Sequence, residues 1–196
     1  MADLADKRFD ESIRILAEAR RSLAPKVSEA AALLVEAYRG GHGVFAFGNG
    51  GSAADAQHIV GELVGRFLKE RRALKAEALS TNTSILTALG NDYSFDIVFA
   101  RQLEANAKAG DVAIGLSTSG NSRNVVAALA KAREMDLRTI AFTGQGGGQC
   151  KALADVLVEA PSKETPRIQE CHVLAYHVMC ELVEAALADE DSDPRR

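Results

Sequence analysis

FGNGGSAADAQHIVGELVGR, residues 47–66, joins a glycine-rich loop to a helix that carries two groups able to bind a metal or move a proton. The run before it, GVFAF at 43–47, is apolar and strand-like, and Gly48, Gly50 and Gly51 follow it directly. Such a loop opening a helix presents free N–H groups and the positive end of the helix dipole, both of which favour an anion. Ser52 is placed to cap the helix, with Asp55 three residues on. His58 and Glu62 stand four apart on one helix face, so they can chelate one cation or flank one proton. The anion loop and the chemical face lie about three turns, roughly 15 Å, apart. That is the length scale of a sugar phosphate.

Outward from this stretch, short apolar runs alternate with helical segments at 44–47, 76–79, 112–116, 139–142 and 156–158. Five strands joined by helical crossovers imply an α/β fold, a three-layer sandwich around a five-stranded parallel sheet. Ahead of the first strand, Phe9, Ile13, Leu16 and Leu23 recur at helical spacing, and after Pro25 the stripe Val27, Ala31, Leu34 and Tyr38 keeps the same period. The proline predicts a helical hairpin over 1–40. The α/β core and a C-terminal helix then fill 41–188, and 189–196 reads as a disordered tail. Thr165 and Pro166 suit the N-cap and first turn of that last helix. Its stripe of Ile168, Cys171, Ala175, Met179, Leu182 and Ala186 should pack on the body. With 196 residues and neither linker nor repeat, the chain reads as a single domain.

A second loop, STSGNS at 117–122, also follows a strand and precedes a helix, and it holds four hydroxyls in six residues. One hydroxyl is enough to cap a helix; four suit phosphate oxygens without Lys or Arg. At the carboxyl ends of strands in an open sheet, the two loops can converge on one ligand. Residues 80–84 add hydroxyls after another strand, as possible outer support. Gly48, Gly50 and Ala53 also satisfy the dinucleotide pattern GxGxxA, but that site needs an acid at the end of the next strand. Leu79-Ser80-Thr81-Asn82 supplies none.

Lys and Arg total 23 against 27 Asp and Glu, a formal charge of −4, so no global basic field exists to hold nucleic acid. No signal pattern and no 18-residue apolar span is read, which predicts an untargeted cytoplasmic protein with no membrane partner. Cys150, Cys171 and Cys180 lack CxxC spacing and read as inert thiols.

Gln169 and His177 on the last helix complete a set with His58 and Glu62 whose imidazoles, carboxylate and amide oxygen suit zinc or another borderline divalent ion. Gln169 and His177 are eight residues apart, about 12 Å and roughly 80° around an ideal helix. A distorted first turn at Gln169, or service to different copies of the site in an oligomer, eases that distance. Taken alone, His177 reads as an ordinary half-buried histidine, as do His42 and His172.

FGNGGSAADAQH at 47–58, LTALGNDYSFD at 86–96, GDVAIGLSTSGNS at 110–122, the turn at Thr143 and Gly144, and PRIQECH at 166–172 together resemble the sugar isomerase (SIS) domain family, and within it the bacterial phosphoheptose isomerases. The resemblance implies ketose–aldose isomerisation of sedoheptulose 7-phosphate to D-glycero-D-manno-heptose 7-phosphate, an early step toward lipopolysaccharide or another surface glycan. It assigns phosphate and sugar binding to Asn49, Gly50, Gly51, Ser52, Asn91, Asp92, Ser117, Thr118, Ser119 and Ser122, with Glu62 and Gln169 also meeting substrate. It makes Glu62 and His177 catalytic and gives one zinc per subunit to His58, Glu62, Gln169 and His177. It also implies a homotetramer with sites at subunit interfaces. Rival readings are a non-catalytic relative that binds the replication initiator protein, and a sugar-phosphate sensing domain. Regulators of the first kind lack the pair corresponding to Glu62 and His177.

Overall fold

The computed structural model describes residues 2–191. Strands β1 (Val44–Gly48), β2 (Ala76–Ala78), β3 (Val112–Ser117), β4 (Arg138–Thr143) and β5 (Val156–Glu159) form one parallel sheet in the order β2-β1-β3-β4-β5. All five lie within one residue of the expected bounds. Every residue of β1 and β3 is buried, because helices cover both faces of the sheet.

Alternate side chains of the strands feed two cores. Val44, Ala46, Ile114, Leu116, Ile140 and Phe142 face α1 (Ala2–Arg39), α2 (Gly51–Val64) and α6 (Thr165–Asp191). Phe45, Phe47, Ala113 and Ala141 face the other way, toward α4 (Ala100–Asn106) and α5 (Arg123–Glu134). Phe47 stacks on Phe99 there, with ring centroids 5.4 Å apart. Between β2 and α4 lies α3 (Thr83–Asp92), capped by Asn82 and without a single buried residue.

The expected hairpin over 1–40 is instead one continuous helix with Pro25 inside it. A proline in a helix interior costs about 3 kcal/mol through its missing N–H and its clash with the preceding turn. The buried stripe Ile15, Ala19, Leu23, Val27, Leu34 and Tyr38 runs in phase through the proline and packs along α6. Each large apolar side chain buried contributes about 1.5–3 kcal/mol, so two or three offset the break. Reversing the chain at Pro25 would have split that stripe between two helices.

Two caps also differ from expectation. Gly50, with φ 56°, takes the N-cap position of α2, and Ser52 lies inside the first turn, nearly buried. The amide of Ile168 donates to the carbonyl of Glu164, so Glu164 takes the N-cap position and Thr165 is the first residue of α6, and Ser162 Oγ accepts from the Glu164 amide. The helix continues to Asp191, through the first part of the expected tail; 192–196 lie outside the described residues. Contrary to the reading of no apolar span, residues 165–188 are long and apolar enough to cross a membrane by length and composition. The fold accounts for that apolarity: Cys171, Ala175, Tyr176, Met179, Cys180, Val183 and Leu187 are buried in the core shared with α1 and α2. Cys150, Cys171 and Cys180 are free, buried thiols, and burial raises the pKa of each.

Candidate active site

The chain leaves β1 toward one edge of the sheet and returns to β3 on its other side. The loops after β1 and β3 therefore part, α2 joining the first core and α5 the second. A crevice at such a switch point, at the carboxyl ends of the strands, is where open α/β sheets bind ligands. The two loops are fastened together by a reciprocal amide pair. Asn49 Nδ2 donates to Asn124 Oδ1 at 2.9 Å, and Asn124 Nδ2 donates to Asn49 Oδ1 at 2.8 Å. In the second loop Ser117 Oγ lies 2.9 Å from Ser122 Oγ and 3.5 Å from Ser119 Oγ, so the hydroxyls are gathered on one side. Gly120 holds φ 65°, and a Cβ there would overlap the Gly147 carbonyl. The residues after β4 brace this loop further, the Gly144 amide donating to Thr118 O and the Gln149 amide to Asn121 Oδ1.

About two turns along α2 from Gly51, His58, Glu62 and His177 bring one ligand atom each within 4.8 Å of one another. His58 Nε2 is 3.0 Å from Glu62 Oε1 and 3.3 Å from His177 Nε2. Two imidazole nitrogens and a carboxylate oxygen converging on one point fit a borderline divalent ion. His58 Nδ1, on the far side of its ring, meets the hydroxyl of Tyr176 at 3.0 Å, and that hydroxyl also reaches Asp55 Oδ1 at 3.4 Å. Burial raises the Asp55 carboxyl above its ordinary pKa, with the Tyr176 hydrogen bond and nearby His58 acting against it. Phe67 covers another side of the cluster, its ring centroid 5.7 Å from that of His177.

A model of the SIS domain family matches residues 8–144, well over half of the chain. The chain belongs to the sugar isomerase (SIS) domain family. Within the SIS domains it stands among the phosphoheptose isomerases. The phosphoheptose isomerase of Geobacter sp. (strain M21) is 57% identical over 165 residues, 84% of this chain and 86% of that one. The phosphoheptose isomerase of Aquifex aeolicus is 51% identical over 189 residues, 96% and 99% of the two chains. The solved phosphoheptose isomerase of Neisseria gonorrhoeae superposes with a TM-score of 0.90 at 44% identity, covering 94% of this chain and 98% of that one.

Other expected site residues of this SIS domain lie apart from the His58 cluster. Gln169 sits at the start of α2, where a Cβ on Gly51 would overlap its amide. Asn91 and Asp92 are exposed at the end of α3, paired with each other at 2.7 Å. Asn124, Asp55 and Tyr176, which reach Asn49 and His58 directly or through the Tyr176 hydroxyl, were not among the expected site residues. The one local signal was Asn124, an amide among Val125, Ala128 and Leu129 on the buried face of α5. Also missed is the clamp on the segment after α2. Glu184, buried, accepts from the amides of Phe67, Leu68 and Lys69 at 2.7, 2.6 and 2.7 Å. Burial works to raise its pKa, but those three bonds and the Arg71 guanidinium, 3.6 Å away, leave it lowered.

Proposed function

We propose that this SIS-domain enzyme is a phosphoheptose isomerase that converts sedoheptulose 7-phosphate to D-glycero-D-manno-heptose 7-phosphate in the cytoplasm, supplying heptose for lipopolysaccharide or a related surface glycan. The observation that carries the reading is the His58, Glu62 and His177 cluster on the same helix that opens at the anion loop. A sugar-phosphate sensor needs the loops but has no use for that carboxylate and imidazole together.

The phosphate is held by the hydroxyls of Ser52, Ser117, Ser119 and Ser122 with the backbone of Gly50, Gly51 and Thr118. Hydroxyls and helix-start amides suffice for its charge. Asn49, locked to Asn124, keeps the two loops in register, and Asn91 and Asp92 are assigned to the sugar hydroxyls. In the open-chain ketose, Glu62 takes the proton from C1 to give the ene-diol and returns it at C2. His177 takes the proton of O1 and delivers one to O2. Each transfer needs only a positioned acid–base group.

His58, Glu62 and His177 would hold one zinc ion per subunit, with the Gln169 amide oxygen as fourth ligand after it swings from Gly51 or arrives from a neighbouring copy. Such an ion would polarise the carbonyl and steady charge on the ene-diolate oxygens. A ligated carboxylate is a poorer base, and an imidazole bound through Nε2 has no proton to give there. Zinc dependence of the rate therefore separates an obligatory ion from one that positions the site.

The test is a proton NMR time course with sedoheptulose 7-phosphate, with and without zinc, alongside Glu62→Gln. New anomeric aldose signals are expected, slowed about 10³-fold or more in the variant, the upper range for a general acid–base group. A fully active Glu62→Gln removes Glu62 from the mechanism. Absence of turnover with every metal, while the ester still binds, would replace the enzyme by a sensor or regulator.

A further inference from the structure

The aim of the His58 ring is set from behind. Tyr176 is almost wholly buried on α6, and its ring meets those of His58 and His177 edge-on at centroid distances of 5.3 and 5.0 Å. Its hydroxyl stands 3.0 Å from His58 Nδ1 and 3.4 Å from Asp55 Oδ1, and the second Asp55 oxygen is buried without a hydrogen-bond partner among the described residues. We propose that Tyr176 and Asp55 are positioning residues that fix the tautomer of His58 and exchange it when the metal site fills. The proposal rests on the metal reading above.

A phenol hydroxyl has one proton to donate, an ionised carboxylate has none, and a neutral imidazole carries one on either nitrogen. Without metal, His58 Nε2 keeps its proton and donates to Glu62 Oε1, 3.0 Å away. Nδ1 is then a bare acceptor, and the Tyr176 hydroxyl donates to it. A metal ligand at Nε2 must present its lone pair instead. The proton leaves Nε2 to solvent and one is taken up at Nδ1, so the ring stays neutral. Nδ1–H now donates to the Tyr176 oxygen, and the hydroxyl turns to donate to Asp55 Oδ1. Only a hydroxyl with an acceptor behind it can serve both states. Asp55 supplies that acceptor three residues before His58 on the same helix. Outer partners of this kind raise the basicity of a ligating histidine, and losing them weakens metal affinity by about 10–100-fold.

The experiment measures zinc affinity by competition with a chromogenic chelator on the full chain. It compares wild type, Tyr176→Phe, Asp55→Ala, the double variant and His58→Gln, with folding checked by circular dichroism. Tyr176→Phe and Asp55→Ala are each expected to bind zinc about 10–100-fold more weakly. Because the two residues act in series, the double variant should be little worse than the weaker single one. In ¹⁵N-histidine NMR, His58 should pass from the Nε2–H to the Nδ1–H tautomer as zinc is added to wild type. Wild-type affinity in both single variants, or an unchanged tautomer on zinc binding, would overturn the proposal while leaving the metal site standing. Zinc binding that survives His58→Gln, or no binding by wild type, would overturn the metal reading and this proposal with it. Asp55→Ala keeps the test decisive if Tyr176→Phe does not fold.

Discussion

His172 illustrates how far surroundings alone decide what a residue does. Its sequence setting, one residue after Cys171, matches nothing catalytic, and it is fully buried against Phe142 with one ring nitrogen 3.1 Å from the carbonyl oxygen of Thr143. Its Nδ1 and the nearby Thr143 Oγ1 have no hydrogen-bond partner among the described residues. Burial drives its pKa from 6.5 to about 4, with the Thr143 bond pulling weakly the other way. The folded protein thus holds the ring neutral at pH values where the unfolded chain would protonate it. This contribution is whole above pH 6.5 and is lost as pH falls toward 4, amounting to about 3 kcal/mol across that window. Urea unfolding between pH 7 and 5 should therefore lose stability more steeply in wild type than in His172→Gln, whatever the variant's absolute stability. Equal slopes would remove His172 from the acid response. Asn124 and Tyr176 show the limit of reading at this scale: their partners, Asn49 and His58, lie 75 and 118 positions away in the chain, so no local pattern could announce them.

Among the elements, the strands and the anion loops were legible because each is a local pattern: a short apolar run, then glycines or hydroxyls, then a helix. The long α1 was not, because a proline is a strong local signal of a break while the force that overrides it is packing against α6, more than a hundred residues away. The segment between α2 and β2 was equally silent. It has no periodicity, and what orders it is Glu184 on α6, receiving three successive amides while Arg71 donates to the carbonyls of Glu62, Gly65 and Arg72. This clamp carries Phe67 onto His177. Breaking a buried ion pair from one side costs about 3–5 kcal/mol, since the other charge is left uncompensated. Glu184→Ala should lose about that much in urea unfolding and, through the freed Phe67, should lower kcat/KM as well. Leu68→Ala, at an exposed position on the same segment, should do neither. A Glu184→Ala enzyme with wild-type kcat/KM would make the clamp a matter of stability only.

For the whole molecule, most of the large exposed apolar residues lie on α1 and α6 or just past α3, with Val64 and Leu68 exposed at the end of α2. Leu4, Phe9 and Ile13 are exposed on α1 and Leu174, Val178 and Leu182 on α6, and where these two helices pack together an apolar groove of about 170 Å³ is lined by Leu16, Leu23, Cys171 and Val178. Tyr93 and Phe95 are exposed at the end of α3, a helix that only half-buries Leu86 and Leu89 against its own chain. Exposed apolar side chains gathered on one surface mark interaction sites. Closed symmetric assemblies use self-complementary patches, and a tetramer with three two-fold axes needs two different ones. If the chain forms the homotetramer that the family resemblance implies, the α1–α6 face and the α3 end are the surfaces expected to carry its two contacts. Phe9→Glu with Val178→Glu should leave dimers in sedimentation velocity, as should Tyr93→Glu with Phe95→Glu, and all four together should give monomers. If the catalytic site is shared between subunits, one of the two dimers loses turnover and the other retains it, and the retaining dimer identifies the contact that completes the site. A tetramer untouched by all four substitutions would show that the contacts lie elsewhere.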